Sequence, residues 1–152
     1  MAHVRGSIVI HRPIEEVFDL LADQTNEPRY NPAMTHSEKV TDGPIGVGTR
    51  FHATMLRGGK PLAIDIEYTG YDRPHLLASR STMAGSVAVG EVRLASIPEG
   101  TRFQWDWDVS LAGPARLLGP IVAIIGRRQE RAIWTGLKAM LEDGAAGGAA
   151  GE

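Results

Sequence analysis

The sequence predicts an α+β domain in which a curved antiparallel sheet packs against one long C-terminal helix. Two observations support this prediction. Alternating strand patterns joined by turn signals fill the middle of the chain, and residues 114–142 form a run long enough for a long helix. Hairpin-linked strands form antiparallel sheets. Helices gathered on one side of such a sheet define the α+β class.

The N-terminal segment predicts one strand followed by two short helices. Residues 4–11 alternate between apolar and polar side chains, which is typical of a half-buried strand. Pro13 then opens a helix that we predict over residues 14–22. A short second helix or turn follows at residues 27–31, and Pro32 ends it.

Six further strands are predicted, because alternating runs are separated by clusters of Gly, Pro and Asp. The clearest alternation is in the last strand, where Trp105 and Trp107 share one face and Asp106 and Asp108 share the other. The indoles are therefore expected to point inward and the carboxylates outward. The predicted strands are Thr35–Val40, Thr49–Leu56, Leu62–Tyr71, Leu76–Met83, Val87–Ile97 and Arg102–Ser110.

The long C-terminal helix changes character halfway along its length. Residues 117–125 are apolar on every side, except where Gly119 and Pro120 interrupt them. Proline does not fit a helix interior, so the helix is expected to kink or begin at Pro120. Residues 127–142 are amphipathic, with Glu130 expected on the surface among arginines. The apolar half either packs in the core or roofs a cavity, and the sequence leaves both interpretations open.

Length and composition indicate one domain and exclude several classes of protein. We expect residues 1–143 to form a single domain and the Gly/Ala-rich residues 144–152 to form a flexible tail. A net charge of -2 does not indicate a nucleic-acid-binding surface. The absence of cysteine excludes disulfides and favours a cytoplasmic location. Residues 117–125 are too short to be an integral membrane segment.

Charged and polar candidates for catalysis do not form a recognisable constellation, so no catalytic residue is predicted. The histidines lack the spacing of a metal site, and neither a metal nor another cofactor is expected. His52 is expected to face outward, although an inward orientation would make it a possible general base. Asp106 and Asp108 share the solvated face. The orientation of Arg80 and Glu91 is ambiguous.

Several segments of the chain are similar to one known family. Residues 7–23, SIVIHRPIEEVFDLLAD, resemble the opening of the polyketide cyclase/dehydrase and lipid-transport branch of the START-like superfamily. The segments at 30–32, 46–51, 100–103 and 127–129 agree with it. The resemblance implies a helix-grip fold, a curved seven-stranded antiparallel sheet wrapped around the C-terminal helix, with a cavity between them.

The resemblance and the aromatic pattern together suggest three functions. The first is binding of a small hydrophobic ligand such as a lipid, polyketide or quinone-like molecule. The alternatives are a polyketide aromatase/cyclase-type enzyme that uses the same cavity, and a macromolecular interaction protein without a ligand. Tyr30 stands where many relatives have tryptophan near the cavity mouth, which implies a different ligand shape. The predicted ligand-binding residues are Tyr30 at the mouth, Phe51, Met55, Tyr68, Trp105 and Trp107 on the walls, and Leu117, Ile121 and Ile124 on the roof.

Overall fold

The computed structural model describes residues 2–150, apart from the side chains of residues 115 and 144–150. The backbone of the last helix continues past residue 143, where we expected the domain to end, and residues 151–152 lie outside the described residues. The elements in chain order are β1 (Ala2–Ile10), α1 (Ile14–Ala22), the 3-10 helix η1 (Gln24–Arg29), β2 (Met34–Lys39), β3 (Arg50–Arg57), β4 (Lys60–Asp72), β5 (Leu76–Met83), β6 (Ser86–Ile97), β7 (Gly100–Leu111), the 3-10 helix η2 (Gly113–Leu118) and α2 (Gly119–Ala150).

The strands form one antiparallel sheet in the order β1-β7-β6-β5-β4-β3-β2. From β2 to β6 each strand pairs with the next one along the chain, and β1 pairs with β7 at the other edge of the order. Bulges interrupt the register between Met34 and His36 and between Tyr68 and Gly70. Bulges bend a strand and increase its twist. The predicted seven-stranded sheet with a C-terminal helix is confirmed.

The two faces of the sheet are those that the alternation predicted. Trp105 is 2% exposed, whereas the Asp106 side chain is 46% exposed. On the outer face the His3 ring lies 2.9 Å from Asp106 Oδ1 and 2.5 Å from Asp108 Oδ1. The carboxylate pair therefore belongs to a surface network and not to the interior.

The remaining polar candidates also lie on the outer face. His52 Nδ1 lies 2.8 Å from Asp65 Oδ1, which confirms its expected outward orientation. Arg80 is exposed. Glu91 is held by Arg93, whose Nε donates to Oε1 at 2.9 Å. None of these side chains can serve a site inside the sheet.

At one end of the sheet, α1 and the C-terminal part of α2 cover the concave face. We call this the closed end of the fold, and a continuous apolar core fills it. Helix α1 contributes a stripe of side chains at helical spacing, as an amphipathic helix must to bury one face. Leu137 is completely buried there, and Leu141 is 7% exposed. The other core residues at this end are Ile10, Val17, Phe18, Leu21, Leu77, Val92, Leu94 and Phe103.

Helix α2 approaches its neighbours closely at two glycines. A Cβ atom on Gly126 would lie 2.9 Å from Val4 Cγ2 in β1, and a Cβ on Gly136 would lie 2.5 Å from the Tyr30 carbonyl oxygen. Lys138 fixes the helix further, because its Nζ donates to the carbonyl oxygen of Val9 at 2.7 Å. These contacts set both the height of the helix above the sheet and its rotation.

This rotation corrects the predicted orientation of the first half of the helix. Leu117, Ile121 and Ile124 are 80%, 54% and 56% exposed, so they do not roof an interior space. The small residues Gly119 and Ala123 are buried in their place. In an all-apolar segment, hydropathy does not indicate which side of the helix packs against the sheet. The side with the small residues packs here, because small side chains permit the close approach of α2 to β1. The helix begins at Gly119, which puts Pro120 in its first turn and confirms the expected start.

The contact at Gly136 predicts an unusual response to a substitution that normally stabilises helices. Gly to Ala in an exposed helix interior gains roughly 1 kcal/mol. Here the new methyl group would meet the Tyr30 carbonyl oxygen at 2.5 Å. We expect Gly136→Ala to lower the free energy of unfolding in urea by about 1–3 kcal/mol. The matched control is exposed Ala132→Gly, which should cost about 1 kcal/mol; stabilisation by Gly136→Ala would contradict the close packing.

Candidate functional site

Polar side chains gather inside the fold between η1, β7 and α2. We call this group the interior polar cluster; its members are Glu27, Tyr30, Trp107, Glu130 and Trp134. Trp134 Nε1 donates a hydrogen bond to Glu130 Oε2 at 2.7 Å. The Trp134 ring lies 6.3 Å from the Tyr30 ring, measured between centroids. The cluster therefore joins the middle of the last helix to the segment that follows α1.

Two carboxyl groups of this cluster have strongly perturbed acidity. The pKa of Glu130 is raised to about 7, first by burial and second by repulsion from the nearby Glu27 carboxylate. The Trp134 hydrogen bond opposes this shift only in part. Burial likewise raises the pKa of Glu27 to about 7, against a hydrogen bond from Asn31. Near neutral pH the two groups are therefore readily protonated and deprotonated, and each disfavours the charge of the other.

The cluster and the neighbouring Trp105, whose ring centroid lies 6.3 Å from that of Trp134, contain polar atoms that lack partners within the described residues. The Tyr30 hydroxyl, Trp105 Nε1 and Trp107 Nε1 are buried and make no hydrogen bond there. The Trp107 indole is close enough to lower the pKa of Glu130, but its N–H makes no hydrogen bond of normal geometry to any described residue. Leaving a buried donor unsatisfied costs about 1–3 kcal/mol. These groups are consequently available to a bound molecule.

The concave face is less tightly covered beyond the cluster. Toward the start of α2, the inward-facing side chains are only half-buried, in contrast with the closed end of the fold. The cross-strand pairs Ala88–Val109 and Ala88–Ser81 lie in this region, which we call the open end. Its half-buried residues also include Met55, Ile64, Met83 and Leu111.

Six of the nine predicted ligand-binding residues lie on or under the concave face. Phe51 and Tyr68 are buried with their ring centroids 5.4 Å apart, and Trp105 is buried beside Phe103. Met55 is half-buried at the open end. Trp107, also half-buried, belongs to the interior polar cluster and lies on β7 two residues before Val109 of the open end. Tyr30 belongs to the cluster itself.

Two expectations about the tyrosines need correction. Tyr30 does not lie at a mouth: it is 5% exposed, because Gly136 packs directly on its backbone. The Tyr68 hydroxyl, expected to orient a ligand, donates to the Ala22 carbonyl oxygen at 2.5 Å. It thereby satisfies the C-terminal end of α1, where carbonyl groups lack helical partners.

Three members of the cluster were missed by sequence reasoning. Glu130 was expected on the surface, since it stands among arginines, and Glu27 and Trp134 were not singled out. The helical period contains a signal for two of them, because positions 130, 134, 137 and 141 fall on one stripe. A glutamate on the same stripe as Trp134 and Leu137 is a buried-carboxyl candidate. No comparable periodicity marks Glu27 in the short η1 segment.

Comparison with known proteins shows the family. The chain belongs to the polyketide cyclase / dehydrase and lipid transport family, whose model matches residues 1–142. It is similar to the uncharacterized protein Rv2574 of Mycobacterium tuberculosis, with 32% identity over 106 residues, or 67% of this chain and 62% of the relative. The match thus spans less than two thirds of that curated relative.

Solved structures share the fold. A START superfamily protein from Mycobacterium smegmatis matches with a TM-score of 0.81 and 14% identity, covering 94% of this chain and 99% of that one. The ZhuI aromatase/cyclase from Streptomyces sp. R1128 matches with a TM-score of 0.74 and 16% identity, covering 92% and 93%. No helix in the described part of the chain is long and apolar enough to cross a membrane.

The raised pKa values of Glu27 and Glu130 predict how stability depends on pH. The folded protein holds protons on Glu27 and Glu130 more tightly than the unfolded chain, where the ordinary pKa is 4.5. Their contribution to stability is therefore complete below about pH 4.5 and is lost as pH rises through about 7. We expect Glu130→Gln to raise the free energy of unfolding above that pH by about 1–2 kcal/mol, less than the full shift implies because the new amide is itself a polar group inside the fold.

The measurement is urea unfolding at a series of pH values, with exposed Glu99→Gln as the control. Glu99→Gln changes an exposed side chain and should alter the free energy of unfolding by no more than about 0.5 kcal/mol. Glu130→Gln should have little effect at low pH and should flatten the profile between pH 4.5 and 7. Identical profiles for all three proteins would show that Glu130 is solvated like a surface residue.

Proposed function

We propose that this domain binds a small, mainly hydrophobic molecule that carries at least one hydrogen-bonding group. The observation that supports this most is the interior polar cluster, in which two carboxyl groups lie among aromatic rings with N–H and O–H groups that have no partner in the described part of the chain. Ligand pockets are mostly apolar with a few convergent polar groups that fix orientation. Membership of a family described by polyketide chemistry and lipid transport supports the same class of ligand.

The position of the ligand follows from the difference between the two ends of the fold. The closed end is filled by core side chains and offers no room. The open end has half-buried apolar side chains on a concave face, which suits the apolar body of a ligand. Its polar group would then reach Glu130 and the N–H of Trp107. Because both carboxyl groups titrate near neutrality, the site accepts hydrogen bonds when charged and donates one when neutral.

A second function, cyclase-type catalysis, is favoured by the same carboxyl pair. General acid–base catalysis works best when the pKa of the catalytic group lies near the working pH. The pKa of each of Glu27 and Glu130 is raised to about 7. A charged carboxylate can remove a proton from a carbon next to a carbonyl group, and a neutral carboxyl can protonate the oxygen of the acceptor carbonyl. This fits the alternative of an aromatase/cyclase-type enzyme.

The binding proposal is tested by filling the open end. Ala88 is half-buried on the concave face, and its neighbour Val89 is 44% exposed on the outer face. We expect Ala88→Phe to weaken saturable binding of the neutral dye N-phenyl-1-naphthylamine by about tenfold or more, because the ring occupies ligand space. The measurement is fluorescence titration, with far-ultraviolet circular dichroism to show that the fold is retained.

The matched control is Val89→Phe, which adds the same ring one residue away on the other face of β6. It should leave the dissociation constant of the dye unchanged within about twofold. Equal losses in the two variants would indicate binding at the outer surface. If the folded wild type shows no saturable binding, the proposal is contradicted and a macromolecular interaction protein is favoured.

A further inference from the structure

We propose that the start of α2, together with η2, docks the protein on the surface of an anionic lipid bilayer. The inference rests on an exposed apolar surface that we call the η2–α2 patch, composed of Leu117, Leu118, Ile121, Ile124 and Ile125. The patch is proposed to bind the protein to a membrane surface. It does not require that a ligand binds the interior polar cluster.

The η2–α2 patch concentrates the exposed apolar surface of the protein. Its five side chains are 80%, 49%, 54%, 56% and 51% exposed in chain order. They make up five of the nine large apolar residues that are exposed in the described part of the chain. Exposed apolar patches of this kind mark interaction sites, whereas scattered single residues do not.

The patch exists because the opposite side of the same helix is the one that packs. Ala123 is buried and Gly126 approaches Val4 closely. The larger residues Ile121 and Ile124 are thereby turned away from the sheet. This arrangement leaves aliphatic side chains without a partner within the described residues. They are held on a rigid element that is anchored to β1.

The positive charges around the patch favour an anionic bilayer as its binding partner. Arg116 precedes it and Arg127 and Arg128 follow it, all three exposed. Residues 113–129 contain no Asp or Glu, and Glu130 is turned into the interior polar cluster. Aliphatic side chains flanked by arginines are the pattern of helices that lie in the interface of anionic membranes. Each basic residue near such a surface contributes about fivefold in affinity.

A second copy of the chain fits this surface less well. A two-fold symmetric contact brings the same patch of both subunits together. Arg116, Arg127 and Arg128 of one copy would then be near those of the other, and like charges would repel. An anionic bilayer offers acyl chains to the apolar residues and phosphate groups to the arginines. Residues 117–125 are too short to cross the bilayer, so this contact stays at its surface.

The patch and the open end lie in the same part of the fold. Helix η2 follows directly from β7, and the Ala112 amide at this junction donates to the Gly85 carbonyl oxygen at 3.0 Å, in the turn between β5 and β6. Docking through the patch would therefore hold the open end near the lipid surface. This position suits exchange of a hydrophobic molecule with the bilayer, if the proposed ligand binding also holds.

The test is flotation of the full-length protein with vesicles. We expect binding to vesicles of equimolar phosphatidylcholine and phosphatidylglycerol, weakened by added salt, and much weaker binding to phosphatidylcholine alone. The combined variant Leu117→Ser, Ile121→Ser and Ile124→Ser should reduce binding to the anionic vesicles by at least about tenfold. Arg127→Gln with Arg128→Gln should reduce it by roughly thirtyfold.

Matched controls change the same residue types elsewhere on the surface. Leu56→Ser with Val89→Ser removes two exposed apolar side chains, and Arg57→Gln with Arg102→Gln removes two exposed charges. Both should bind like the wild type. Circular dichroism and thermal unfolding verify that every variant is folded.

Three outcomes would overturn the proposal. The first is a folded wild type that does not float with anionic vesicles, and the second is unchanged binding of both patch variants. The third is a wild-type dimer in analytical ultracentrifugation that the triple-serine variant converts to monomer, since a second copy would then cover the patch. Dye binding by Ala88→Phe and the wild type is measured separately, so failure of docking and failure of ligand binding are distinguishable.

Discussion

The close approach of α2 to the rest of the fold is the constraint on which the interior depends. Gly126 lies against Val4 of β1, and Gly136 lies against the backbone of Tyr30. A larger residue at either position would lift or rotate the helix. With the helix held at both points, Glu130 and Trp134, which lie between the two glycines, are turned inward. The same rotation turns Ile121 and Ile124 toward solvent.

The position of α2 fixed by these two contacts places the Glu130 carboxyl where an apolar side chain would give a more stable core. A leucine at position 130 would remove a buried carboxyl and the repulsion between Glu130 and Glu27. Core polar groups are normally hydrogen-bonded, because unsatisfied ones are costly. Here Trp107 and Tyr30 add donors that lack partners in the described structure. Such a concentration of unfavourable features is typical of sites where stability is sacrificed for function.

Much of the fold could be predicted from the sequence, because alternation in strands directly reflects two environments. The bounds of α1 and β5 agree at every residue, and the inward face of β7 follows from Trp105 and Asp106. The facing of the apolar half of α2 could not be predicted in this way. Where every side chain is apolar, hydropathy does not distinguish one face of the helix from another. The small residues that decide the packing face give no strong signal in the sequence. Glu130 was hidden for a related reason, since a charged side chain near arginines resembles a solvated surface.

In our proposal the interior polar cluster and the open end together form a ligand chamber. The most direct test is a crystal structure of the protein soaked with N-phenyl-1-naphthylamine. We expect electron density for the dye between α2 and the concave face, beside Ala88, with its amine within hydrogen-bonding distance of Glu130. Dye found only on the outer face of the sheet, with Trp107 and Tyr30 fully hydrogen-bonded to protein groups inside a filled core, would contradict the account.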